Sequence, residues 1–123
     1  MKLILIIAAG SGIGGVMRFG MQSFVYKLYP FSFPLGTFLV NIIGCFLIGV
    51  FFALTEKNLL TSETRLFLIT GICGGFTTFS TFSYDNIALL KQGNFLYFFL
   101  YAIGSVVLGI LATYLGILLI KIL

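Results

Sequence analysis

Phe79 and Phe82 stand three residues apart within Gly71-Ile72-Cys73-Gly74-Gly75-Phe76-Thr77-Thr78-Phe79-Ser80-Thr81-Phe82-Ser83. On a helix that spacing turns both rings nearly the same way. An aromatic ring is negative on its face and positive along its edge. Two adjacent edges can therefore touch an anion that has shed its water, without holding it too tightly to leave. Asn41 adds amide donors within an apolar run, and Arg18 adds a permanent positive charge. These are parts suited to passing a small anion. For any one of fifteen phenylalanines, packing or lipid contact is the plainer account. Phe79 and Phe82 differ because they interleave with hydroxyl residues.

Other chemistries lack their residues. The chain has no histidine, no carboxylate pair and no metal-ligand cluster, and its only acids are Glu56, Glu63 and Asp85. That excludes the usual nucleophile, acid–base and metal constellations, so no enzyme is expected. Nothing in the motifs points to nucleic acid. Gly10-Ser11-Gly12-Ile13-Gly14-Gly15 fits the dinucleotide fingerprint, which needs an acidic residue about 20 positions on. None lies there, so the glycines read as close packing of a helix against a neighbour. Proton-coupled transport usually needs an intramembrane acid or histidine. The first two apolar stretches have neither, and Asp85 lies beyond the glycine cluster.

The elements that must hold these residues are membrane helices. Of 123 residues, 60% are hydrophobic and 8% charged, with a mean hydropathy of +1.20. A soluble domain of this size needs far more charge. Four stretches, at Leu3–Tyr26, Phe33–Leu54, Arg65–Leu90 and Phe95–Ile120, are long enough for a hydrocarbon core, which takes about 20 helical residues. Tyr29-Pro30 with Pro34, Glu56-Lys57-Asn58 and Lys91-Gln92-Gly93-Asn94 supply the turns. No linker separates domains, so residues 1–123 form a single four-helix unit. Leu3–Ala9 followed by small residues also fits a cleavable leader. Three further spans make a first membrane helix the better reading. Cys45 and Cys73 lie inside spans and read as small apolar packers.

The third span carries the least regular chemistry. Its glycines each cost about 1 kcal/mol against alanine in a helix, and an interrupted membrane helix is tolerated only where protein or a polar pathway covers the freed groups. A break at mid-membrane depth is therefore expected. Free carbonyls around Gly74 and Thr77 would favour a cation such as Na⁺.

Charge barely selects an orientation. Lys2, Lys57, Arg65 and Lys121 fall on one side, against Lys27, Lys91 and Arg18 on the other. Four against three leaves the positive-inside rule nearly silent. Copies inserted both ways up and pairing antiparallel fit that balance, as does a single orientation set by other signals. Small or polar residues recur at helical spacing in Thr37-Asn41-Gly44 and in Tyr101-Ser105-Gly109-Ala112-Gly116. Such stripes let membrane helices approach closely.

Along essentially its whole length the chain resembles the fluoride channels of the Fluc (CrcB) family. The carrying motifs are Gly14-Gly15-Val16-Met17-Arg18-Phe19, the run Gly36–Phe46 and Gly71–Ser83. The resemblance implies an all-α protein of the cell membrane, with four transmembrane helices and a broken third helix. It implies an antiparallel dual-topology homodimer with two fluoride pores and a structural Na⁺ at the interface. Gly74 and Thr77 would bind that Na⁺ through their carbonyls. Phe79 and Phe82 would line the pore with Asn41. Ser80, Thr81, Tyr101 and Ser105 would supply hydroxyls, and Arg18 a vestibule charge. The implied function is passive export of cytoplasmic F⁻ that entered as HF, conferring fluoride resistance. The family motif often ends in Glu where Asp85 stands, and Gly109 lacks a hydroxyl that the family often has. The competing class is a small multidrug-type proton-coupled antiporter, which would need an acid in the first span; Leu3–Tyr26 has none.

Overall fold

The structure is a computed structural model describing residues 1–123. Helix α1 spans Lys2–Leu28 and α2 spans Leu35–Glu56. The third span, Ser62–Lys91, is composite. It opens with α3 (Ser62–Arg65), widens into a π-helical stretch (Leu66–Cys73) and closes its first half with α4 (Gly74–Phe76). Its second half is α5 (Phe79–Lys91), and α6 (Phe95–Ile122) completes the chain. All four spans are long and apolar enough to cross a membrane.

The turns follow from local chemistry. Proline cannot continue the backbone ladder of a helix, and α2 begins directly after Pro34. Phe33, expected inside the second span, lies outside the helix for that reason. Asn58 adopts φ 59° and Gly93 φ 71°, the left-handed region that asparagine and glycine enter most readily. Side chains of Thr61, Thr78 and Asn94 cap the N-termini of α3, α5 and α6 by accepting backbone N–H bonds. Such caps satisfy donors that a helix start leaves orphaned. The spans extend a few residues beyond the sequence expectation, because charged ends such as Glu56 and Lys91 still complete helical turns.

Glycines bring α1 against the first half of the third span. A Cβ at Gly10 would lie 2.6 Å from the Phe67 carbonyl oxygen and 2.9 Å from Gly71 Cα. At Gly14 it would collide with the Ile72 carbonyl, and at Gly75 with that of Ser11. Side chains at these positions would force the backbones apart. On the other side of the bundle, Gly49 and Gly116 admit the backbones of α6 and α2 in turn. Thr113 Oγ1 lies 3.0 Å from the Cys45 carbonyl oxygen and tethers the same pair. Small residues allow this intimacy where lipid offers no hydrophobic drive.

The ends of the bundle are fastened at one face. Lys2 Nζ pairs with Glu63 Oε1 at 3.0 Å, and Lys57 Nζ donates to the Ile120 carbonyl at 2.6 Å. The N-terminus, the second loop and the C-terminus therefore share one side. Exposed ion pairs contribute up to about 1 kcal/mol. The lysine on the last carbonyls of α6 also meets the negative end of its dipole.

Candidate functional site

The helical path of the third span lapses at two residues. Thr77 (φ −82°, ψ 156°) and Thr78 (φ −149°, ψ 118°) are extended, between Phe76 and Phe79. The glycines of the run do not interrupt it: Gly71 lies in the π-helical stretch, and Gly74 and Gly75 are helical. Their work is close approach, since Gly71 and Gly75 pack on α1.

Asn41, on α2, fills the lapse. Its Oδ1 accepts the Thr78 N–H at 2.8 Å, and its Nδ2 donates to the Thr78 carbonyl at 3.1 Å. One side-chain amide thus pairs with both backbone groups of a buried residue, as a neighbouring strand would. An unpaired backbone group in this setting costs several kcal/mol. The Thr78 N–H would bond the Gly74 carbonyl in an unbroken helix. Its diversion to Asn41 leaves that carbonyl without its usual donor. The amide keeps a second N–H beyond the Thr78 bond.

Hydroxyls complete the turn. Thr77 Oγ1 donates to the Cys73 carbonyl at 2.9 Å, while Thr78 Oγ1 accepts the Thr81 N–H at 3.2 Å. The Thr78 hydroxyl also bonds Thr81 Oγ1 at 3.2 Å and lies 3.3 Å from Ser80 Oγ. Ser80 and Thr81 are thus tied to the cap of α5.

From the lapse a file of rings runs along α5 to α6. The Phe79 and Phe82 centroids are 5.7 Å apart, and Phe82 lies 5.0 Å from Tyr101. Tyr101 is fully buried and Phe79 is 80% exposed, so the file leads from the surface inward. Tyr101 is also held by Phe33 at 5.7 Å and Phe38 at 6.5 Å. Its hydroxyl donates to Asp85 Oδ2 at 2.9 Å.

Two cavities flank this file. The first, of about 300 Å³, is lined by Asn41, Gly44, Thr77, Phe79, Phe82 and Ser105. The Ser105 Oγ is buried and has no hydrogen-bond partner. The second, of about 270 Å³, lies under the turn between α1 and α2 and contains Gln22, Thr37 and Asp85.

Of the residues singled out from the sequence, Asn41, Phe79, Phe82, Ser105 and Thr77 meet at one cavity. Tyr101 joins through Phe82. Ser80 and Thr81 stand beside it as partners of Thr78. Gly74 is exposed on the chain surface rather than in the cavity. Arg18 lines neither cavity and forms no ion pair. Sequence reasoning missed the pairing of Asp85 with Tyr101, sixteen residues away, and the bond from Gln22 to Thr37. A lone acid within a span was the available signal for the first.

Four membrane-spanning helices, the last three of which line a cavity with two phenylalanine rings, define a small multi-pass membrane protein. The description "CrcB-like protein, Camphor Resistance (CrcB)" matches residues 5–117. The chain is 52% identical over 117 residues to a protein of Phocaeicola vulgatus named "Fluoride-specific ion channel FluC", covering 95% of this chain and 97% of that one. It is 47% identical to the like-named protein of Flavobacterium psychrophilum, with 98% of each chain covered. Against that of Aquifex aeolicus the identity is 44%, covering 94% of each. The chain belongs to the CrcB family and is a multi-pass integral protein of the cell membrane.

Proposed function

We propose that the chain is a passive, fluoride-selective channel. The observation that carries this reading is one cavity holding two adjacent phenylalanine rings and the buried, unpartnered Ser105 hydroxyl. The full-length relatives named as fluoride-specific channels support it. A fluoride ion entering past exposed Phe79 would exchange water for ring edges, the Ser105 hydroxyl and the spare N–H of Asn41. Each contact is weak or shared, which permits exit as well as entry. The Tyr101 hydroxyl continues the route beyond Phe82, with Ser80 and Thr81 along its start. Arg18 raises local anion concentration from a distance.

The working unit in this reading is an antiparallel homodimer of copies inserted both ways up, bearing two pores. The Gly74 carbonyl, relieved of its helical donor and carried by an exposed residue, would join that of Thr77 toward the second copy. Two copies supply about four oxygens for a structural Na⁺. That fixed charge offsets the cost of carrying anions through a low-dielectric interior. The membrane potential drives F⁻ outward, so the channel relieves fluoride accumulation without an energy source.

Purified protein in liposomes tests the reading. Fluoride efflux, measured by ion electrode, should proceed without a pH difference and far exceed chloride efflux. Absolute dependence on a pH difference would place the protein among proton-coupled antiporters, and equal chloride flux would remove the selectivity.

A further inference from the structure

Gln22 has no part in the route described above, yet it commits a buried hydroxyl, that of Thr37. On α1 it lines the second cavity, and its Nε2 donates to Thr37 Oγ1 at 3.1 Å. Thr37 is only 6% exposed. A Cβ on neighbouring Gly36 would lie 3.2 Å from Gln22 Cα, so α1 and α2 touch here. A threonine hydroxyl has one proton and two acceptor sites. Accepting from Gln22 uses an acceptor site and leaves the proton free for another oxygen. Asp85 lines the same cavity as Gln22 and Thr37. Tyr101 already spends its proton on Asp85 Oδ2. No basic side chain pairs with Asp85, since the one ion pair of the chain joins Lys2 and Glu63. The half-buried carboxylate therefore depends on hydroxyl donors.

We infer that Gln22 is a positioning residue: by donating to Thr37 it directs that hydroxyl's proton onto Asp85, holding the carboxylate at the inner end of the ring file. The inference rests on the reading of the chain as a fluoride channel for its effect on flux, but not for the hydrogen bonds themselves. The direction of the Gln22–Thr37 bond is the critical point. An amide donor there turns the Thr37 proton toward Asp85, whereas an acceptor would draw it away.

Gln22→Glu tests this, because it keeps the shape and reverses the bond, while Gln22→Leu merely removes it. Asp85 is the only aspartate in the chain, so ¹³C-aspartate labelling makes its carboxylate infrared band readable alone. The band should shift in Gln22→Glu and in Thr37→Val relative to the unmodified protein. Initial fluoride efflux should fall roughly tenfold in Gln22→Glu, the scale of one hydrogen bond to a charged group, and less in Gln22→Leu. Neither change at Gln22 should alter the band further in a Thr37→Val background. Gel filtration and thermal midpoints of the purified variants separate these effects from misfolding. An unmoved band in Gln22→Glu, or the same band shift with and without the Thr37 hydroxyl, overturns the inference. Absence of fluoride efflux from the unmodified protein would instead defeat the channel reading and leave the infrared test standing.

Discussion

The side-chain amide of Asn41 pairs with both backbone groups of Thr78, accepting its N–H at 2.8 Å and donating to its carbonyl at 3.1 Å. A residue of α2 thereby completes the backbone of the third span where helical bonding lapses. The same amide borders the cavity with the phenylalanine pair, so it completes the fold and, in the proposed reading, also meets the route.

That double role predicts separable effects at Asn41. Asn41→Leu leaves the buried Thr78 N–H without an acceptor and should cost about 1–3 kcal/mol of stability, with loss of fluoride efflux. Asn41→Asp retains the acceptor and loses the donors. It should be closer to the parent in thermal midpoint, yet still depressed in flux. Equal stability of Asn41→Leu and the parent in detergent melts would refute the structural half.

The two rings should respond differently to Phe→Ile. Phe79 is largely exposed, so its replacement should leave stability within about 0.5 kcal/mol. Phe82 packs on Tyr101, and its loss should cost about 0.5–1.5 kcal/mol beyond area burial. Both replacements remove the positive ring edge and should lower efflux. Normal efflux from both would return the rings to a packing role.

Adjacent glycines provide an internal contrast. Gly75→Ala would drive a methyl group into the Ser11 backbone, whereas a Cβ at Gly74 meets only Ile69 of its own span, at 3.8 Å. Gly75→Ala should therefore destabilise the protomer. If Gly74→Ala instead weakens dimerisation with the protomer intact, the surface at Gly74 faces a second copy. A dimer of parental strength in cross-linking would count against that interface.

The proposed dual insertion can be tested through the nearly balanced lysines and arginines. Two or three lysines added to the second loop should lock one orientation and abolish activity alone. Co-expression with an oppositely biased variant should restore it. Full activity of either locked form by itself would exclude an antiparallel unit.

Removal of Na⁺ tests the proposed central cation. Replacement by N-methylglucamine should depress efflux, because a closed oxygen shell selects by size. Thr77→Ser should be nearly silent, since it keeps the carbonyl and the hydroxyl that bonds Cys73. Undiminished efflux after exhaustive Na⁺ removal would exclude a cation requirement.

The sequence by itself determined the four spans, their turns and the facing of Phe79 toward Phe82. Hydrophobic length, proline and glycine punctuation and helical spacing are local properties, legible along a chain. It misplaced Phe33, where Pro34 prevents the helix from starting earlier. It also assigned the lapse in the third span to glycines, whereas the extended residues are Thr77 and Thr78. Only the tertiary structure decided that. Gly71 and Gly75 remain helical and α1 packs into the space they leave, while Asn41 supplies from another helix the bonds that let Thr78 depart. Likewise no spacing joins Gln22 to Thr37 or Asp85 to Tyr101. A hydrogen bond between spans depends on which helix faces meet, and that is set by backbone approach in three dimensions.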